Sequence, residues 1–360
     1  MLVHVCCSVD SHYFIEELQK LYPEEKLSAF FYDPNIHPYS EYYLRLLEVK
    51  RSCEKLGVDL IEGEYDYERW FDAVKGNEHD SEKGKRCSIC FDDRFEVTAQ
   101  KAQELGHDSY TTTLLMSPKK SIPQLVYSGK ALEKKYSTKF VGLDLKVDGG
   151  NTAQYKVARD EEMYHQDYCG CFYALEDQRE EQGNKFVYET MRSIGANIQR
   201  GSIEERVEIY EKRYELEKQN KSYKIIRQKI LNYRLLTANV KVSGEVIPSY
   251  IFSYSMPQRK FSQTRMEFSM NNIHYSKHAN MIFLDIEKFN SLANTEYQNV
   301  LELMYNPIST NKENQIRMQI FGEYSLSAIV VVDKVEDKKY KIFIDAVTYD
   351  DNVYKLLNID

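Results

Sequence analysis

Apolar positions recur along this chain in two rhythms, and the balance between them shifts about two-thirds of the way through. Leu2-Val3-His4-Val5 is a short apolar run of the kind a buried strand needs, and Ser11 to Leu21 follows with Phe14, Ile15, Leu18 and Leu21 at helical spacing. Leu27 to Tyr32 reads as a second strand closed by the turn Asp33-Pro34-Asn35. Glu41 to Leu56 then predicts a helix and Val58 to Glu62 a third strand. Asp92 to Leu105 predicts a further helix and Ser109 to Leu114 a further strand. Strands alternating with helices predict a parallel α/β sheet whose ligands lie beyond the carboxyl ends of the strands. From about residue 236 the chain turns strand-rich. Val240 to Val246, Gln315 to Phe321, Ser325 to Val332 and Lys339 to Ala346 are expected strands, with Val335-Glu336-Asp337-Lys338-Lys339 as a hairpin turn. The expected division is an α/β domain over 1–182, a charged helical connector over 183–235 and an α+β accessory domain over 236–360.

Composition narrows this further. A chain of 360 residues exceeds the usual single-domain size, and its net charge of −8 is carried by the first half. No apolar stretch approaches the ~20 residues that span a bilayer, and Met1-Leu2-Val3-His4-Val5 lacks the basic and apolar regions of a signal peptide. The expected location is cytoplasmic, where clustered cysteines hold metal or exchange electrons more often than they form structural disulfides.

All seven cysteines lie in the first half, and six come in pairs: Cys6-Cys7, Cys87-Ser-Ile-Cys90 and Cys169-Gly-Cys171. Such spacing holds thiolates close together at little cost in loop closure, as a metal centre or a redox dithiol requires. Cys53 lies within a helical apolar pattern and is expected to be a packing residue. Four thiolates suit structural zinc as well as iron, although direct neighbours such as Cys6-Cys7 are awkward for a zinc ribbon.

Ser8-Val9-Asp10-Ser11, between a strand and a helix, resembles the Ser-Gly-Gly-x-Asp-Ser loop of ATP pyrophosphatases without its glycines. That points to kinship of fold, the ATP-pyrophosphatase-like (HUP) architecture, rather than to nucleotide binding.

His4-Val5-Cys6-Cys7, Phe30-Phe31-Tyr32-Asp33-Pro34-Asn35-Ile36-His37-Pro38, Glu41-Tyr42-Tyr43-Leu44-Arg45, Arg86-Cys87-Ser88-Ile89-Cys90, Tyr110 to Pro118 and Tyr168-Cys169-Gly170-Cys171 occur in one order. In this order they resemble the QueH family of cobalamin-independent epoxyqueuosine reductases, over roughly residues 1–180. The resemblance implies an oxidoreductase of tRNA processing. It would remove the epoxide oxygen of epoxyqueuosine in the anticodon loop, the last step of queuosine biosynthesis. It further implies a 4Fe-4S cluster on Cys6, Cys7, Cys87 and Cys90, with Cys169 and Cys171 beside it as a redox-active disulfide or as ligands to a second iron. The implied partners are tRNA and an electron donor that the sequence does not identify. Where many members read Cys-Cys-x-Pro-Cys this chain has Ser8-Val9-Asp10, so Asp10 offers an oxygen ligand instead of a third thiol. The family's Met-Tyr-Arg-Gln is here Met163-Tyr164-His165-Gln166, which makes His165 a candidate proton donor or a packing histidine.

Deoxygenation needs an acid for the departing oxygen and two electrons, and a dithiol such as Cys169/Cys171 can hold two. The other candidates each have a plain structural alternative. His37 is a possible acid, or a turn residue alongside Asn35, itself a candidate for substrate contact. Arg45 and Arg86 would hold tRNA phosphate or pair on a helix face. Thr112, with Thr111 and Thr113, would touch substrate or simply favour a strand. His4 is an active-site or a core histidine, and Tyr65 and Trp70 stack on a base or pack. Lys212, Arg213, Lys218, Lys221, Lys224, Arg227, Lys229 and Arg234, on or beside an expected helix, would track phosphates, though the segment is also rich in Glu. Two other functions fit the cysteines: a zinc-stabilised tRNA-binding or scaffold protein without redox chemistry, and a sulfur-transferring tRNA enzyme, which would need ATP.

Overall fold

β1 (Leu2–Val5) has no exposed side chain and is flanked by two parallel neighbours, which is why its sequence is apolar on both faces. The computed structural model describes the chain from Met1 to Asp360 apart from residues 119, 148, 182, 184–190, 192, 194–196, 278–279 and 323. It divides into two units. The first comprises Met1–Val187, Val207–Ile225 and Leu356–Asp360, and the second Tyr188–Arg206 and Ile226–Lys355. The domain boundary expected at residue 182 lies outside the described residues.

In the first unit β1 leads into α1 (Ser8–Leu21), β2 (Ser28–Phe31), α2 (Tyr39–Leu56), β3 (Asp59–Glu62), α3 (Tyr67–Val74), α4 (Lys85–Glu104) and β4 (Ser109–Thr112). α5 (Ile122–Ala131), α6 (Glu133–Tyr136), β5 (Lys139–Phe140), α7 (Gly150–Asp160) and α8 (Phe172–Glu181) follow. The strands form one parallel sheet in the order β3-β2-β1-β4-β5, with Val5 beside Phe31 and His4 beside both Phe30 and Thr112. The chain winds from β1 out to β3, then returns to the other side of β1 at β4. Right-handed crossovers therefore place α1 and α2 on one face and α4 on the other. In agreement, α1 packs with α2 and α7, while α4 packs with α3, α5 and α6. This is the expected α/β class. The reversal between β1 and β4 opens a crevice at their carboxyl ends, the place where such sheets bind ligands.

α9 (Ile203–Lys218) contributes its residues from 207 onward to this unit, held through buried charge. Arg213 and Glu48, both essentially unexposed, form an ion pair, and Arg51 grips Glu217 through Nε and Nη2 at 2.7 and 2.6 Å.

The second unit contains most of β6 (Tyr223–Val242), with β7 (Glu245–Ile247), β8 (Tyr250–Ile251), β9 (Phe261–Thr264), β10 (Met266–Met270), β11 (Ile273–Ser276), β12 (Met281–Asp285), β13 (Ala328–Val332) and β14 (Tyr340–Asn358). Its helices are α10 (Ile286–Ala293), α11 (Val300–Tyr305) and α12 (Thr310–Phe321). The sheets run β10-β11-β12-β13-β8 and β7-β6-β14-β9. Alternation along the central strands explains the layering. Ile282, Leu284, Ile329 and Val331 join Phe289, Leu303 and Ile316 of the helices, while Phe283, Val330 and Val332 join Val240, Tyr340 and Ile342 of the other sheet.

Four expectations need correction. Val240 to Val246 is not one strand, because Ser243 and Gly244 turn the chain between β6 and β7, which pair antiparallel. Gln315 to Phe321 is helical, because Ser309 caps α12 by accepting from the Lys312 N–H and Ile316 and Ile320 reach the core four residues apart. Val335 to Lys339 does not close a hairpin, since β13 and β14 on either side of it belong to different sheets. Lys224, Arg227 and Lys229 lie on β6 rather than on a helix, and Lys221 precedes it, so a three-residue repeat aligns them on no single face. Lys224 pairs with Glu162, Lys229 with Asp350, and Arg213 and Arg234 are buried. Among the described residues no helix is long and apolar enough to cross a membrane.

Candidate active site

Cys6 and Cys7 follow the carboxyl end of β1 directly, Cys7 as the N-cap of α1, so the central strand delivers them to the β1/β4 crevice. Their sulfurs are 4.0 Å apart, and Cys6 Sγ is also 4.0 Å from Thr113 Oγ1 at the end of β4. Asp10, one turn into α1, is buried and accepts from Gln154 Nε2 at 2.6 Å. Burial pushes its carboxyl up to about 6 against the pull of Cys7 and Gln154 hydrogen bonds. The ligand atoms of Cys6, Cys7 and Asp10 lie within 4.8 Å of one another, close enough to share a metal ion.

α4 supplies the second pair. Gly84 caps it, which puts Cys87 and Cys90 in its first two turns, three residues apart and on one face. Burial pushes the Cys90 thiol up, opposed by the nearby Arg94 charge and a Trp70 hydrogen bond. Lys83 N–H donates to Cys87 Sγ at 3.3 Å.

The third pair is held by backbone. Gly170 has φ of +98°, and a Cβ there would stand 2.8 Å from Ile36 Cγ1, so glycine alone fits this crossing. Ile36 bridges to Cys171, and His37 N–H donates to Gly170 O at 2.8 Å. Arg45 reinforces the loop by donating to Tyr168 O and Cys169 O at 2.9 and 3.2 Å while its Nε holds Glu41. Gln178 accepts from Cys169 N–H at 3.0 Å. The Cys171 thiol hydrogen bond, helped by Lys120 charge and Gln178, holds Cys169 well below the usual thiol range despite burial, and pushes Cys171 up. All seven cysteines are free here, so the disulfide expected as one state of Cys169 and Cys171 is not formed.

These segments enclose one cavity. Cys6, Cys87, Cys90, Cys169 and Cys171 line it, together with Asp33, Asn35, Trp70, Arg86, Arg94 and Lys120. Five thiols from three distant stretches of sequence face a common space. Sulfur donors in that number fit an iron-sulfur cluster, which takes cysteine thiolates. Cys7 is not among the lining residues. It sits behind Cys6 with Asp10.

The expected substrate contacts separate into two groups. Asn35 and Arg86 line the cavity and are buried. Arg45 is 3% exposed and wholly engaged in anchoring, a position that gives it no face toward phosphate. Thr112 is buried, pairs with His4 Nδ1 at 2.9 Å and accepts from Leu114 N–H, which caps the turn after β4. His4 therefore belongs to the core. His37 stands outside the lining, its ring edge-on to Phe172 at 4.8 Å. Cys53 is buried as expected. His165 lies beside the Tyr155 ring. Tyr65 donates to Ile36 O at 2.7 Å, while Trp70 lines the cavity.

Three cavity residues went unforeseen: Asp33, Arg94 and Lys120. Arg86, Cys90 and Arg94 recur every four residues on α4, a stripe that carries Arg94 toward the cysteines and that the sequence displays. Arg94 pairs there with Asp33. Burial pushes the Asp33 carboxyl up to about 6 against Arg94. Lys120 follows a turn, and no periodicity marks it.

The chain is similar to known proteins of one family. A family model described as epoxyqueuosine reductase QueH matches residues 1–177. An epoxyqueuosine reductase QueH from Helicobacter pylori is 37% identical over 99% of this chain and 100% of its own length. One from Thermotoga maritima is 36% identical over 50% of this chain and 92% of its own length. One from Acinetobacter baylyi is 38% identical over 49% of this chain and 81% of its own. Among solved structures, the U34-tRNA thiolase NcsA from Methanococcus maripaludis with its 4Fe-4S cluster aligns with 60% of this chain and 72% of its own at 17% identity. Its TM-score of 0.33 supports no further argument.

Proposed function

Because the chain belongs to the epoxyqueuosine reductase QueH family, we propose that the thiol-lined cavity at the β1/β4 crevice is where it reduces epoxyqueuosine to queuosine in tRNA. The observation that carries this reading is the convergence of five thiols on one buried space. Cys6, Cys7, Cys87 and Cys90 hold a 4Fe-4S cluster in this reading, with three of the four facing the cavity and the fourth adjoining Cys6. A cluster supplies electrons one at a time.

The chain's own residues do the rest. Cys169, held as thiolate, and Cys171, held as thiol, give up two electrons and one proton and join as a disulfide. The epoxide loses both C–O bonds, gains a C=C bond and releases its oxygen as water, taking one proton from Cys171 and the second from solvent, so two electrons and two protons balance. Two electrons from an external reductant, delivered one at a time, and one proton then return the pair to its thiolate–thiol form. Arg45, Gly170 and Gln178 hold the dithiol against Ile36, and the buried walls keep bulk water from the reacting oxygen. The place of work is the cytoplasm, where tRNA is modified.

The test uses protein purified without oxygen, dithionite as reductant and tRNA carrying epoxyqueuosine, with nucleosides read by mass spectrometry. Conversion to queuosine, with about four irons and labile sulfide per chain as a four-thiolate cluster requires, is expected. A colourless protein with one zinc and no conversion would favour the scaffold function instead. Cys169→Ser is expected to keep its iron and lose turnover.

A further inference from the structure

Arg86 is 2% exposed, yet no carboxylate among the described residues pairs with its guanidinium. Its Nη1 donates to Glu78 O at 2.5 Å, and its backbone N–H to Asp80 Oδ2 at 3.1 Å. Nε and Nη2 have no hydrogen-bond partner, and the guanidinium makes no ion pair with any carboxylate of the described residues. The contrast with its neighbours is informative. Arg94, on the same wall, is compensated by Asp33, and Arg51 uses the same Nε/Nη2 edge to hold both oxygens of Glu217. A buried guanidinium left unpaired costs several kcal/mol, so its open edge implies an anion, or a group that becomes one, in the cavity it faces.

Other buried polar atoms on lining residues also lack partners, among them Asn35 Oδ1, Asp33 Oδ2 and Arg94 Nε, while the Trp70 indole is engaged with Cys90. Of the three cations on this wall, Arg94 pairs with Asp33 and Lys120 with Glu82, whereas the Nε/Nη2 edge of Arg86 is held by no carboxylate of the described residues. The burial of Arg86 excludes a role in gripping the tRNA backbone, whose phosphates stay in solvent.

Building on the proposed reduction, we propose that the Nε/Nη2 edge of Arg86 is a catalytic contact to the epoxide oxygen, holding it as the first C–O bond breaks and negative charge collects there. Guanidinium does not release its proton at any physiological pH, so Arg86 stabilises charge only. Of the two protons that turn the oxygen into water, one comes from Cys171 and the other from solvent, as in the balance above. An arginine edge fits because it is planar, permanently charged and unable to be alkylated as readily as a thiol or amine beside an epoxide.

The test compares Arg86→Gln and Arg86→Lys with the wild-type full chain, anaerobically loaded with iron and sulfide. Iron content, the visible spectrum and the midpoint potential are read together with affinity for epoxyqueuosine-tRNA and the single-turnover rate. Arg86→Gln is expected to keep iron, spectrum, potential and tRNA affinity while its rate falls roughly 100-fold, the usual loss for an oxyanion donor. Arg86→Lys should recover part of that rate. Loss of iron or a shifted potential in Arg86→Lys, which keeps the charge and spares the fold, would show that the arginine serves the metal rather than the oxygen. A rate within threefold of wild type in Arg86→Gln would also overturn the proposal. Failure of the wild-type chain to convert epoxyqueuosine would remove the underlying function itself, a result seen before any variant is made.

Discussion

Gly170 shows how much one residue carries. It combines a left-handed φ with a backbone crossing against Ile36, and it separates the two cysteines of the dithiol. Gly170→Ala is expected to cost about 1–3 kcal/mol from strain alone. Because the strain falls between Cys169 and Cys171, turnover should drop more than thermal stability does. Paired melting and single-turnover measurements would check this, and equal losses would place the effect in folding alone. At this scale the sequence was informative about chemistry and silent about direction. It marked Cys6, Cys87, Cys90, Cys169, Cys171, Asn35 and Arg86, all of which line the cavity. It also marked Arg45 and Thr112, whose polar atoms turn out to face the Cys-Gly-Cys loop and the His4 ring. A polar side chain advertises a hydrogen bond, and its partner is set by the fold.

At the scale of elements, α9 is bound to the first unit by charges that the sequence presents as a solvated face. Arg213 donates to Glu162 O at 3.0 Å and pairs with Glu48, which also accepts from Tyr164 N–H. Arg213→Ala would leave Glu48 buried without its cation, and a loss of about 3–5 kcal/mol is expected in denaturant unfolding. Glu217 gives the same contact a pH signature. Burial alone would raise its carboxyl, but the hydrogen bonds from Arg51 and Tyr223 prevail and hold it at about 2. A carboxyl lowered on folding stabilises above its unfolded pKa, near 4.5, and loses that contribution as pH falls toward 2. Amide exchange along 207–218 should therefore accelerate relative to α4 on acidification from pH 5 to pH 3, and Glu217→Gln should abolish the difference. The helical rhythm of 41–56 and the strands at 2–5, 27–32 and 109–114 were legible because each buries one stripe or a whole short run. Gln315 to Phe321 was misread as strand because a seven-residue apolar mixture fits either period until the Ser309 cap is seen.

For the whole molecule, the Thermotoga maritima relative matches half of this chain over nearly all of its own length, whereas the Helicobacter pylori relative matches throughout. In this chain, residues 207–225 pack with the first unit. Removal of residues 188–360 would strip Glu48 and Arg51 of Arg213 and Glu217. The shortened chain is expected to melt several degrees lower than the first unit does in the full chain, and an unchanged melting temperature would show that these pairs contribute nothing. The sequence by itself determined the α/β class, the thiol chemistry and the family, because hydrophobic period and clustered cysteines are local properties. The tertiary structure alone decided which thiols meet, that Cys7 turns toward Asp10, that Arg94 is neutralised by Asp33 and that Arg86 is not. Those outcomes depend on the order of strands around β1, which brings the carboxyl end of β1, the start of α4 and the loop at 169–171 to one crevice across more than 160 residues of chain.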